Sequence, residues 1–209
     1  LLLVIADGVG IAPPGPSNAV TEADTPCLDA LLASPLSTQL AAHGEGLICL
    51  TGGPDGPVGR LIRQGQVPKA EALMTRLAAI YPDRLYVELQ RHPGEDGQPP
   101  EAERATERGF VEMAYAMGLP LVATNDVYFP KSDMYEAHDA LICIAEGAYV
   151  DQSAPRRRLT AQHYFKTPEE MAALFADLPE ALENTIEIAK RCAFKAAKRD
   201  PILPRFADD

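Results

Sequence analysis

LYVELQ, residues 85–90, is the stretch on which the fold turns. It is a short apolar run of strand length, far too brief for a helix, and it is closed by a polar RHPG segment. Two similar runs flank it, LICLT at 47–51 and LPLVAT at 119–124, and a fourth, LLLVIA, opens the chain at 1–6. Between them lie helical patterns. Val67, Ala70, Met74 and Leu77 share one face, as do Phe110, Ala114 and Met117, with Gly118 and Pro120 ending the second helix. Strands alternating with helices predict a parallel α/β architecture, in which loops following the strand C-termini carry the chemistry.

Beyond the third strand the best-marked element begins at Thr167, an N-cap followed by Pro168 at the first helical position and by Glu169 and Glu170 in the first turn. A second start follows at Asp177 and Pro179, and its helix is expected to turn Leu182, Ile186, Ala189 and Cys192 inward. Pro201 and Pro204 then stop helix formation, giving an extended exit linker over 195–209.

The net charge of −11 excludes a chain whose own surface as a whole grips a phosphate backbone, so any nucleic-acid contact has to be local. The charge is unevenly spread: residues 1–44 hold four acids (Asp7, Glu22, Asp24, Asp29) and none of the 19 basic residues. The four cysteines are widely spaced and form no C-x-x-C pair, which fits free thiols in a reducing compartment. The opening run is too short to span a membrane and lacks a basic leader, so a buried strand paired with 47–51 or 119–124 is expected there. Without an initiating Met, the chain is expected to be a piece of a longer protein.

The loops after the three strands supply the candidate site. Glu88, His92 and Asp126 are residue types that bind zinc, manganese or magnesium. Each also has a structural alternative. Asp126 can bond neighbouring backbone amides, Glu88 can pair with Arg91 or another cation across the sheet, and His92, opening a loop before Pro93, can be solvated. His138, within the helical pattern EAHDAL, fits packing or capping. TGGPDG at 51–56 lacks the spacing of a phosphate-binding loop and fits a tight turn. Arg156, Arg157 and Arg158 form the dense basic cluster, fit to meet a nucleic-acid backbone or an acidic partner, or simply to be solvated.

Five motifs then agree as a set: GLICLTGGPDGPVGRLI (46–62), DRLYVELQRH (83–92), GLPLVATNDVYF (118–129), YEAHDALICIAEG (135–147) and FADLPEALENTIEIAKRC (175–192), followed by PILPRF. In order and spacing they resemble the PHP (polymerase and histidinol phosphatase) domain of bacterial DNA polymerase III alpha subunits, of the proteobacterial type. The resemblance implies a partial, distorted (β/α)7 barrel over 45–194, followed by C-terminal helices and a linker toward a polymerase core at 195–209. It implies a parent DNA-directed DNA polymerase, cytoplasmic, using Mg, while this stretch, lacking the palm, is expected to be inactive. Intact PHP sites use an early H-x-H, further His and acidic ligands, and a late D-x-H. Here the late motif is Asp126-Val127-Tyr128, and Gly53 stands where metal-binding relatives often carry Cys. Asp126, Glu88 and His92 are therefore expected to be a vestigial site, with zinc or manganese only if the site were intact and no cofactor otherwise. The implied role is structural and partner-docking in chromosomal replication. The implied partners are a proofreading exonuclease subunit, other holoenzyme subunits, and DNA through the parent polymerase, with no membrane. The alternative is a metal-dependent phosphoesterase or 3′–5′ exonuclease.

Residues 1–43 carry a different pattern. LLLVIADGVG, PSNAV and ADTPCLDALLAS resemble the start of cofactor-independent phosphoglycerate mutases and related alkaline-phosphatase-superfamily metalloenzymes. That resemblance implies a metal-ligand role for Asp7, without the partners that a phosphomutase-type hydrolase needs, and suggests a chimeric join near residue 44.

Overall fold

The computed structural model describes Leu40, residues 43–94 and residues 96–194. The expected strand at 1–6, Asp7 and the expected linker at 195–209 lie outside the described residues.

Three parallel strands form the sheet: β1 (Cys49–Leu50), β2 (Leu85–Gln90) and β3 (Leu121–Thr124), in the order β1-β2-β3. Cys49 pairs with Leu85, and Val87 to Gln90 pair with Leu121 to Thr124. The connections are helical, as parallel neighbours require. Helices α1 (Pro57–Arg63) and α2 (Val67–Ile80) join β1 to β2, and α3 (Glu101–Met117) joins β2 to β3. Gly118 ends α3 at φ 64°, a left-handed conformation that a side chain resists, and so turns the chain into β3 within two residues.

Both faces of β2 are covered, the usual state of a parallel strand. Leu85, Val87 and Leu89 join Ala70, Met74, Phe110, Ala114, Leu121 and Ala123 in the main core. Tyr86 lies on the other face with Ile48 and Val122. Helix α2 presents Ala70, Met74 and Leu77 as expected, while Val67 at its first turn is 43% exposed.

After β3 the chain makes a short 3-10 turn (Ser132–Met134), then α4 (Tyr135–Glu146), α5 (Pro168–Leu174) and α6 (Pro179–Arg191). Thr167 caps α5 in a reciprocal box with Glu170: its side chain accepts from the Glu170 amide, and the Glu170 carboxylate accepts from the Thr167 amide. Helix α6 packs along the outer edge of β3, placing Ala181 in the main core and Ile188 and Cys192 against the opposite face. Asn184 donates to the Leu121 carbonyl at 2.8 Å. Of the four residues expected to turn inward, Leu182 and Cys192 pack against the two cores, while Ala189 is exposed and Ile186 is 57% exposed.

Arginines fasten both ends of α6. Arg191 donates to the Asp83 carbonyl (2.8 Å) and the Tyr86 hydroxyl (2.9 Å), where β2 begins. Arg91, just past the end of β2, holds Asp177 (2.6 Å), Glu107 (2.5 Å) and the Leu174 carbonyl (2.8 Å), and its guanidinium lies 4.7 Å from the centre of the Phe175 ring.

Candidate functional site

The C-terminal ends of β2 and β3 bring Glu88, His92 and Asp126 into one region. Glu88 follows the strand alternation that puts Tyr86 and Gln90 on its face, away from the main core. Its carboxylate accepts from the Gly52 amide at 3.1 Å, the Thr124 hydroxyl at 2.5 Å and the Gln90 carboxamide at 3.2 Å. It thus ties the TGGPDG turn to β3. Arg91, the partner expected for Glu88, instead serves Glu107 and Asp177, because the alternation sends it to the other side of the strand. The adjoining turn is tight: a Cβ on Gly53, at φ 42°, would start 2.5 Å from Gln90 Oε1, so a cysteine there would require the carboxamide to swing away.

His92 corrects an expectation, since it is 1% exposed rather than solvated. Glu103, in the first turn of α3, receives both its backbone amide (2.8 Å) and its ring Nδ1 (2.7 Å). The Asp126 amide donates to Nε2 at 3.2 Å, which fixes the ring proton on Nδ1. A carboxylate-oriented histidine has the form of a general base, but here the nitrogen that would take a proton is already receiving one hydrogen bond from the backbone.

Stacked on His92 is His163, with ring centroids 3.9 Å apart and planes 9° from parallel. Its Nδ1 accepts from the Thr160 amide at 3.2 Å. Burial, then the neighbouring His92, pushes its pKa down to about 3. Tyr128 packs edgewise on His163 (5.8 Å) and on His138 (5.5 Å), and Phe129 lies 5.4 Å from His138. Tyr128 thus touches His138 and His163, and His163 in turn stacks on His92. Nearby Lys166, 9% exposed, donates to Asn125 Oδ1 (3.3 Å) and to the Gln162 carbonyl; burial lowers its pKa. Among the described residues no group of three or more His, Cys, Asp or Glu side chains is arranged to hold a metal ion.

The arginine cluster divides. Arg156 turns inward and holds Asp139 through two bonds of 2.6 Å, its side chain 3% exposed, so it is withdrawn from the expected contact surface. Arg157 lies over the Tyr128 ring, 5.7 Å from its centre, and donates to the hydroxyl at 3.1 Å. Arg158 donates to the Val150 carbonyl at 3.0 Å, and both remain exposed.

His163 and Glu103 escaped the sequence. TAQHYF offers no spacing that points to His92, and Glu103 sits in an acidic stretch that has the pattern of an exposed loop entering a helix. The nearest signal is an acid in the first turn of α3, where the helix dipole favours negative charge.

Comparison with known proteins shows what the chain is similar to. Residues 23–92 match the PHP domain, a match that begins inside the segment with the metalloenzyme-like pattern. The chain is 55% identical over 168 residues to the DNA polymerase III subunit alpha of Caulobacter vibrioides, covering 80% of this chain and 14% of that protein. It is 42% identical over 166 residues to that of Pseudomonas aeruginosa, covering 78% and 13%, and 44% identical over 162 residues to that of Neisseria meningitidis, covering 78% and 14%. The chain thus spans about one seventh of the length of these relatives.

Proposed function

From its match to the PHP domain over residues 23–92 and its 55% identity to a DNA polymerase III subunit alpha, we propose that this chain serves as the structural and docking module of a replicative polymerase rather than as a phosphoesterase. One observation carries this. The polar groups at the strand ends are engaged with the protein itself: Glu88 with the Gly52 amide and Thr124, and His92 with Glu103 and the Asp126 amide. A hydrolytic metal centre needs such groups convergent and ready to bind an ion, whereas here they fasten loops to the sheet. Tyr128 occupies the second position of the late motif and packs between two histidines. We further propose that the three-strand sheet is an arc of a distorted (β/α)7 barrel, with Glu88 facing its interior, and that the chain works in the cytoplasm. No helix among the described residues is long and apolar enough to cross a membrane.

The implied partners are a proofreading exonuclease subunit and other subunits of the replicative assembly. Co-purification of the full chain with the exonuclease subunit from a relative's host, together with metal analysis and a phosphodiesterase assay, tests the proposal. Stable co-purification without bound zinc or manganese is expected. Stoichiometric zinc or manganese with metal-dependent hydrolysis would replace it with the phosphoesterase or exonuclease alternative.

A further inference from the structure

Downstream of β3 the chain exposes aromatic rings beside its outward arginines. Tyr149 is 75% exposed, Phe165 72% and Tyr128 39%. These residues are far apart in sequence, yet backbone and side-chain contacts gather them. The Phe165 amide donates to the Phe129 carbonyl at 3.1 Å, which sets Phe165 beside the segment running from Tyr128 to Lys131. Arg157 lies over Tyr128, and Arg158 reaches the carbonyl of Val150, the residue after Tyr149. Lys131 is exposed at the same end.

We propose that this surface, formed by Tyr128, Tyr149, Arg157, Arg158, Phe165 and Lys131, binds single-stranded DNA. The occupant rests on the reading of the chain as part of a DNA polymerase, and the chemistry of the patch selects the strand's form. Outward ring faces are costly in water and offer a stacking platform for unpaired bases, which all present a π-face whatever their sequence. The guanidinium groups are suited to track phosphates: Arg157 lies over the Tyr128 ring and Arg158 beside Val150, each spending one nitrogen on the protein and both exposed to solvent. A duplex would hide its base faces from Tyr149 and Phe165. An acidic peptide would satisfy the arginines but leave the rings in water. Asp133 and Asp151 flank the patch, so binding is weak and strongly salt-dependent, the contact of a strand passing over the surface rather than one gripped by the whole chain.

Fluorescence anisotropy of a labelled oligothymidylate against the full chain tests this. Expected is an affinity that falls with added salt. Joint Tyr149→Ala and Phe165→Ala substitution should weaken it about five-fold or more without changing the salt dependence. Joint Arg157→Ala and Arg158→Ala substitution should lower the slope of log affinity against log salt by about 1.4. All four side chains are exposed, so circular dichroism should report unchanged folding. Absence of binding at low salt, unchanged affinity in the aromatic variant, equal affinity for duplex, or equal competition by polyglutamate would each overturn the proposal, the last in favour of an acidic protein partner. None of these results touches docking of the exonuclease subunit, which co-purification measures separately.

Discussion

Around β2 the chain is held by apolar burial, with Val58, Ala70, Met74, Val87 and Ala114 fully enclosed, whereas the segment from Asn125 to Lys166 is held by rings, histidines and one inward arginine. In the first region the helices press onto the sheet. In the second, α4 buries only Asp139 and Cys143 and leaves Leu141 (61%) and Ile144 (77%) in solvent. The contrast teaches that one chain can combine a sheet layer governed by dispersion and hydrophobic area with a strand-end cap governed by hydrogen-bond geometry. Mutation of the first should be felt globally. Mutation of the second should be felt locally and should depend on pH.

Phe110→Ala should give the largest effect, a loss of about 3–5 kcal/mol in urea unfolding, because a side chain 1% exposed leaves a cavity between α3 and the sheet. A loss below about 1 kcal/mol would mean that the sheet layer is loosely packed and the contrast false. Arg91→Ala comes next. It strips Glu107, Asp177 and the Leu174 carbonyl of their shared donor and should cost about 2 kcal/mol by the same measurement. An undiminished midpoint would show that α5 and α6 are held by apolar contact alone.

The third test separates the regions by acid. The folded pKa of His163 lies far below its ordinary 6.5, so the unfolded chain takes up the proton first. Its contribution is complete above about pH 6.5 and is lost as pH falls toward about 3, with a slope of at most ~1.4 kcal/mol per pH unit. Asp177, lowered by Arg91, and Asp139, lowered by Arg156, lose their contributions only below the ordinary carboxylate range, near pH 4. Stability measured between pH 6.5 and 4 should therefore flatten in His163→Gln, and a profile identical to that of the parent chain would remove the histidine stack from the account. Smallest in global terms is Asp139→Ala. Limited proteolysis should speed within 147–158 as Arg156 loses its partner, while the main unfolding midpoint moves little. Equal global loss would erase the distinction between the two regions.

Much of the sheet layer was legible because its signals are local. LYVELQ forms β2 over the same six residues, Gly118 stops α3, and the Thr167–Glu170 capping box is written in four consecutive letters. The strand at 47–51 shortens to Cys49–Leu50. The face of α6 was read half correctly, Leu182 and Cys192 packing inward as expected; Ile186 and Ala189 do not, because the inward arc also carries Asn184, a polar residue that serves a strand carbonyl and that apolar periodicity cannot place. At the strand ends, the positions of Glu88, His92 and Asp126 followed from the strand pattern. What they do depends on partners up to 71 positions distant, Glu103 and His163 among them, which no spacing rule connects. The division of the three arginines was equally hidden, since only the fold decides which of three identical neighbours meets Asp139.

The two fastenings of α6 make it a gauge bar. Six residues of β2 span about 20 Å, and thirteen helical residues of α6 span about the same length. The spacing between Arg91 and Arg191 is thus a matched dimension. Inserting or deleting a single residue within α6 would displace one end by about 1.5 Å and swing it by about 100° around the axis, so one end could seat only if the other came off. Length changes that surface loops absorb readily are, in this helix, a machining error.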